Sequence, residues 1–251
     1  MTEPARVAIV TGAARGIGAA TALALAERGW DVGVSYVERA DAAARVTEAC
    51  RARGVRALAI QADVADEAAV TRLFTAVDRE LGVIGALVNN AGVVAPKARV
   101  DEIDSARVMR LFAVNVVGAL LCAREAVRRM SSRHGGAGGV IVNVSSAAAR
   151  LGSPGEWVDY AASKGAIDTM TVGLAREVAD EGIRVNAVRP GLIETDLHAS
   201  SGQPDRVERL RDQIPMRRAG SAEEVANAIA WLCSDQASYV TGSILDVSGG
   251  R

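Results

Sequence analysis

Lysine is almost missing from this chain: of 29 basic residues only Lys97 and Lys164 are lysine. Wherever a plain positive charge sufficed, the sequence uses arginine. Cysteine is scarce as well. Cys50, Cys122 and Cys233 are odd in number, far apart and never spaced C-x-x-C, which excludes a disulfide framework and a cysteine zinc site and fits a reducing cytoplasm. The two histidines, His134 and His198, have no i,i+4 partner and no cysteine nearby, so no metal is expected. An excess of either charge is lacking too. The formal net charge is −1 with no acidic or basic block, which argues against an electrostatic nucleic-acid binder. Long apolar runs are also absent: Val7 to Val10 is too short for a signal segment, and no stretch approaches a membrane span.

What is present is a rhythm. With 49% hydrophobic and 24% charged residues, the 251 residues read as one soluble domain, 1–251. Short apolar β-rich runs alternate with Ala-rich stretches of helical period. The runs are 6–10, 31–36, 56–60, 85–90, 139–145, 183–188 and 242–248. Most are apolar throughout rather than alternating, as in parallel strands covered on both faces. The expected fold is α/β, a doubly wound parallel sheet of seven strands with helices on both faces. Gly29, Gly54, Gly82 and Gly182 each stand between a helical stretch and a strand, where a helix-ending residue of positive φ is wanted. Long helices are expected near 101–130 and 158–181, and the Asp/Glu and Arg pairs of 39–53, 66–80 and 205–212 read as solvated helix faces. The irregular segment 192–220, between the sixth strand and the last helix, is placed where a substrate lid would lie.

Directly after the first strand comes "TGAARGIG", Thr11 to Gly18, followed by a helical stretch. A Gly-rich turn between a strand and a helix N-terminus is an anion site suited to a pyrophosphate; a tight turn with no ligand is the plainer alternative. No G-K-[ST] closes it, so it is not a nucleoside-triphosphate loop.

The scarce lysine appears in "YAASKGA", 160–166. Four residues make one helical turn, so Tyr160 and Lys164 share a face. A free phenol of pKa about 10 is a poor base at neutral pH. An ammonium about 4 Å away, at a dielectric of about 20, favours the phenolate by about 4 kcal/mol, or about three pKa units. The expected pKa is near 7, suited to general acid/base work. Arginine would supply charge but no exchangeable proton. Nearby in the expected topology are "NNAG" (89–92), Asn115 and "NVSS" (143–146), all on the sheet edge where open α/β folds bind ligands.

Taken together, T-G-x-x-x-G-x-G, N-N-A-G and Y-x-x-x-K resemble the short-chain dehydrogenase/reductase family, from residue 6 to the C-terminus. The resemblance implies a Rossmann-type fold, a cytoplasmic NAD(P)-dependent oxidoreductase acting on a carbonyl/alcohol pair, and a homo-oligomer, tetramer or dimer, formed through the long helices. It implies a catalytic set of Asn115, Ser146, Tyr160 and Lys164. Ser146 would bind the substrate oxygen, Tyr160 would be the general acid/base, Lys164 would also hold the nicotinamide ribose, and Asn115 would anchor a water in a proton relay. Cofactor contacts would come from Gly12, Arg15, Gly16, Ile17 and Gly18, then Asp63 and Val64 at the adenine. Asn90 and Gly92 would border the ribose; Pro190, Gly191, Ile193 and Thr195 would cover the nicotinamide. Asp63 as a helix N-cap is the competing reading. Where the family's NAD-binding members carry an acid ending the second strand, this chain has Tyr36, and Arg15 and Arg39 stand ready to clamp a 2′-phosphate. NADP(H) is therefore expected over NAD(H), with Glu38 complicating the local field.

One departure is visible. Ser146 and Tyr160 stand fourteen positions apart, one more than in much of the family, so a residue must bulge before Tyr160 and Ser145 becomes a rival for the serine role. Glu156 and Trp157 would then border the pocket. A cofactor-binding sensor or scaffold without catalysis, and a sugar-nucleotide epimerase sharing Y-x-x-x-K, are the rival functions. The glycine spacing and the chain length count against the epimerase.

Overall fold

The computed structural model describes residues 6–194 and 206–251. Seven strands form one sheet: β1 (Arg6–Val10), β2 (Trp30–Tyr36), β3 (Ala57–Gln61), β4 (Ala86–Asn89), β5 (Gly139–Val144), β6 (Ile183–Pro190) and β7 (Ile244–Val247). Every pairing is parallel, in the order β3-β2-β1-β4-β5-β6-β7. The order reverses between β1 and β4, so a crevice opens at the carboxyl ends of those strands. All seven expected strands are present, displaced by a residue or two at their ends. Gly29, Gly54, Gly82 and Gly182 all have positive φ, as their helix-ending positions require.

Helices cover both faces. On one side α1 (Gly16–Ala26), α2 (Ala40–Arg51) and α9 (Ala222–Leu232) bury Leu25, Val46 and Ile229 against Val10 and Val34. On the other, α3 (Glu67–Glu80), α5 (Ala119–Met130) and α7 (Val158–Val178) bury Phe74, Met130 and Val178 against Ile9, Leu87 and Ile141. The burial on both faces accounts for strands that read as continuous apolar runs. Two short helices, α6 (Ala148–Leu151) and α8 (Arg206–Leu210), lie between β5 and α7 and before α9. All three cysteines are buried and free, and burial pushes the Cys50 thiol up to about 11 and those of Cys122 and Cys233 up to about 12.

The stretch expected as one helix over 101–130 is interrupted. After α4 (Ser105–Phe112) the chain makes a π turn, Ala113–Gly118, before α5. Within Ser105–Met130 an 18-residue window reaches a mean hydropathy of 1.6, so this stretch is long and apolar enough to cross a membrane by length and composition only, where none was expected. In the fold its inner side, with Val114, Cys122, Ala126 and Met130, is a wall of the core.

A buried polar chain joins the sheet to α7 at the crevice. Asn89 and Asn143 lie directly opposite on β4 and β5. Asn89 Nδ2 donates to Asn143 Oδ1 at 3.0 Å and to the Ala119 carbonyl at 3.1 Å, and Asn143 Nδ2 donates to Thr171 Oγ1 at 2.9 Å.

Candidate active site

A cleft of about 770 Å³ runs along the crevice from the glycine turn to the end of α6. Its floor at the first turn is knotted together by Thr11, whose Oγ1 accepts from the backbone N–H groups of Asn90 and Ala91, both at 3.0 Å. Asn90 Nδ2 returns the contact to the Thr11 and Gly12 carbonyls at 2.8 and 3.1 Å. Glycine is required here on two grounds: Gly12 and Gly16 have φ of 62° and 56°, and a Cβ on Gly18 would lie 2.4 Å from Asn90 Nδ2 and 2.8 Å from the Gly12 oxygen. Helix α1 then begins with neither a side-chain cap nor an acidic residue in its first turn. Its first N–H groups are thus available to an anion in the cleft, and the turn fits a dinucleotide pyrophosphate.

Farther along, Tyr36, Glu38, Arg39, Asp63 and Val64 line the same cleft. Asp63 is not a helix cap. Its Oδ1 accepts from Ala65 N at 3.0 Å and its Oδ2 from Arg110 Nη2 at 3.0 Å, while the cap of α3 is Asp66. Arg15 and Arg39 are exposed at the cleft wall.

The middle of the cleft gathers Ser146, Tyr160 and Lys164. Ser146, just past β5, is the side chain that acts against the rise of the Tyr160 phenol's pKa and accepts from Ala148 N at 3.1 Å. Ser145 is buried and donates instead to the Lys164 carbonyl at 3.2 Å, tying β5 to α7, so the serine that acts on the tyrosine is Ser146. Between Ser146 and Tyr160, after α6, Gly152, Ser153 and Gly155 all have positive φ.

Lys164 is buried and donates to the Val144 carbonyl at 2.7 Å, with its Nζ 5.7 Å from the centre of the Tyr160 ring. The expected drop of the phenol toward pKa 7 does not appear in the protein alone. Burial raises the Tyr160 pKa, and Ser146 offsets only part of that rise. The lysine is affected in its turn, because burial lowers its pKa to about 8 and Asp168 opposes the fall. Both shifts follow from removing charge from water, an effect that residue spacing alone does not carry.

Asn115 lies on the π turn. Its Nδ2 donates to the Val93 carbonyl at 3.0 Å and to Ser163 Oγ at 3.1 Å, and its Oδ1 accepts from Val93 N at 2.8 Å. A Cβ on Gly92 would fall 3.4 Å from that Oδ1 and 3.5 Å from Lys164 Nζ, so the amide and the ammonium converge on one glycine. Pro190, Gly191, Leu192 and Ile193 roof the site, and the base of the irregular segment is pinned where Glu194 N donates to the Gly220 carbonyl at 2.9 Å. Thr195 and His198 lie outside the described residues.

Several positioning contacts escaped the sequence. Arg107 Nε donates to Asp159 Oδ2 at 2.7 Å, a buried ion pair beside Tyr160, and Arg107 Nη1 donates to the Pro96 carbonyl at 2.6 Å. Trp157 is buried, lines the cleft and donates from Nε1 to the Ala95 carbonyl at 2.8 Å. It therefore both packs the loop and shapes the pocket. Glu156 also lines the cleft, 3.7 Å from Lys97. The residue classes at Arg107 and Asp159 gave no signal, because 52 positions separate them.

The chain has relatives along nearly its whole length. A family model described as enoyl-(acyl carrier protein) reductase matches residues 12–251. An uncharacterized oxidoreductase of Escherichia coli (strain K12) is 55% identical over 98% of this chain and 99% of its own. The cis-4-hydroxycyclohexanecarboxylate dehydrogenase of Sinomonas cyclohexanicum is 44% identical over 98% of this chain and 96% of its own. A short-chain dehydrogenase of Burkholderia cenocepacia J2315, solved in complex with NADP, superimposes with a TM-score of 0.89 at 33% identity, covering 98% and 97% of the two chains. A parallel sheet with a glycine turn at its switch point, a Ser–Tyr–Lys group in the adjoining cleft and relatives of this kind along its whole length make this chain a member of the short-chain dehydrogenase/reductase family, an NAD(P)-dependent oxidoreductase of carbonyl and alcohol groups.

Proposed function

We propose that the protein is an NADPH-dependent carbonyl reductase in which Tyr160 carries the reacting proton. The observation that carries this reading is that Ser146, Tyr160 and Lys164 line one cleft continuous with the glycine turn. The bound nicotinamide supplies the hydride. Ser146 donates a hydrogen bond to the substrate oxygen as negative charge grows on it. Tyr160 gives that oxygen its proton; the Lys164 ammonium stabilises the phenolate left behind, and Asn115 anchors the water through which the proton is replaced. Gly12, Arg15, Gly16, Ile17 and Gly18 hold the pyrophosphate, Asp63 and Val64 the adenine, and Asn90, Gly92, Tyr160 and Lys164 the ribose side. Pro190, Gly191 and Ile193 would cover the nicotinamide, and Thr195, outside the described residues, is assigned with them. A homo-oligomer, tetramer or dimer, is the proposed assembly, supported by the exposed apolar Met109, Val117 and Leu120 along Ser105–Met130.

Preference for NADP(H) is supported by the neutral Tyr36 and by the two arginines flanking it. Fluorescence titration is expected to show NADPH binding at least about tenfold tighter than NADH, and replacing Arg15 and Arg39 together by Ala should weaken NADPH by at least about tenfold with little change for NADH. Tighter NADH binding by the unaltered protein would overturn this part of the reading.

The two serines separate by kinetics. With NADPH and a panel of ketones, Ser146→Ala should lower kcat/KM by about 10²-fold, since it removes a donor to the developing oxyanion. Ser145→Ala should lower stability by about 1 kcal/mol through one lost buried hydrogen bond, with turnover within a few fold. The reverse pattern would transfer the role to Ser145.

A further inference from the structure

One buried charged group beside the site has no task in the reaction as written. Asp168 lies one helical turn beyond Lys164 on α7, so the two share a face; their exposures are 9% and 4%. Arg189, the β6 residue before Pro190, donates from Nε and Nη2 to a single Asp168 oxygen, Oδ2, at 2.9 and 2.8 Å. The other oxygen, Oδ1, is buried and accepts no hydrogen bond among the described residues. A guanidinium fork that can bind both oxygens of a carboxylate here binds one. Half of the carboxylate is left buried without a hydrogen bond, on the helix face that Lys164 shares.

We infer that Asp168 and Arg189 are a positioning pair that sets how firmly Lys164 holds its proton, the carboxylate strengthening that hold and the guanidinium limiting it. The inference rests on the role given above to Lys164. Burial draws the lysine down and Asp168 is the charge that opposes the fall, the two together leaving it at about 8. The other charged or titratable neighbours are Tyr160 on the same helix, the Arg107–Asp159 pair between α4 and α7, and Asp246 on β7, 3.9 Å from Arg189 Nη1. Arg150 on α6 is exposed and donates to the Arg251 carbonyl. From β5 and the π turn come Ser145 and Asn115, both uncharged. Removing a negative charge from this neighbourhood eases loss of a proton, whichever member of the coupled Lys164–Tyr160 pair releases it. Removing a positive charge does the reverse. Arg189 also leads directly into the Pro190–Gly191 roof, so the charge of the lysine and the seat of the cofactor share one support.

The scarcity of lysine makes the test direct. Protein grown on lysine labelled with ¹³C at Cε gives two side-chain signals, Lys164 and the surface Lys97, which serves as an internal reference. In Asp168→Asn the Lys164 signal is expected to titrate about one pH unit lower than in the unaltered protein, and in Arg189→Gln to titrate higher. In the double variant the nearer Asp168 dominates, so Lys164 should titrate lower by less than in Asp168→Asn. Lys164 titrating within about 0.3 unit of its original position in the folded single variants, or no lower in the double variant where a single one does not fold, overturns the inference. The alkaline limb of NADPH-dependent reduction should move in the same directions. Uniform loss of rate at every pH with an unmoved limb would mark a purely structural role. Complete absence of carbonyl turnover in the unaltered protein would instead sink the reductase reading, while the Lys164 titration would still decide the fate of the pair.

Discussion

Tyr160→Phe is expected to lower carbonyl reduction by about 10²- to 10⁴-fold, the usual contribution of a positioned acid/base group, while NADPH affinity falls by no more than about a few fold, the phenol being one of several contacts on the ribose side. The substitution keeps the ring and removes only the hydroxyl. Ser146 retains its contact with Ala148 N, so the loop and helix that meet there have no reason to shift. Steady-state oxidation of NADPH with the best ketone, beside a fluorescence titration of NADPH, separates the two quantities. Turnover within tenfold of the original would remove Tyr160 from the proton path. The pH dependence has a definite sign. Burial raises the phenol's pKa, so it stays protonated through neutral pH and reduction runs there without loss. Alcohol oxidation needs the phenolate and should accelerate as pH rises above neutrality.

The second large effect is expected from Lys164→Arg. The change keeps the positive charge, so a site that needed only charge would tolerate it. At 164 the ammonium is confined between the Val144 carbonyl, 2.7 Å away, and Gly92, where even a methyl group would stand only 3.5 Å from Nζ. A planar guanidinium is larger and holds its proton far above the working range. Turnover should fall by at least about 10²-fold, with weaker NADPH binding and a stability loss of about 1–3 kcal/mol from overpacking. Activity within a few fold, measured in the same assay, would show that neither the shape nor the labile proton of lysine is used.

The strands were readable because a parallel sheet covered on both faces writes each strand as a continuous apolar run, and the glycine turn because close backbone approach leaves no room for another residue. The Y-x-x-x-K spacing carried the helical face with it. The break in the helix over 105–130 was not readable. A π turn costs one extra residue per loop of hydrogen bonds and leaves the apolar periodicity nearly intact, yet it is the element that bears Asn115. The direction of the Tyr160 shift was hidden as well, because the spacing displays the neighbouring charge while desolvation is revealed only by the packed structure. The Asp63 alternative failed because another aspartate, three positions on, makes the cap. The ion pairs Arg107–Asp159 and Arg189–Asp168 bridge 52 and 21 positions, and a chain with so many arginines and acids offers no local mark of which will meet.

The facing asparagines of β4 and β5 have a consequence for assembly of the sheet. Apart from the asparagines β4 holds Ala, Leu and Val and β5 Gly, Val and Ile, and such apolar runs pair about equally well in several alignments. Asn89 and Asn143 remove that degeneracy. A slip of one residue in either direction would set Asn89 opposite a valine of β5, Val142 or Val144, and separate the two amides, and every buried amide group so orphaned costs about 1–3 kcal/mol. The amide pair therefore acts as a key for strand alignment. A chain with both asparagines replaced by valine should still collapse, but with less certainty that Thr11, Asn90 and Ser146 arrive at the same height.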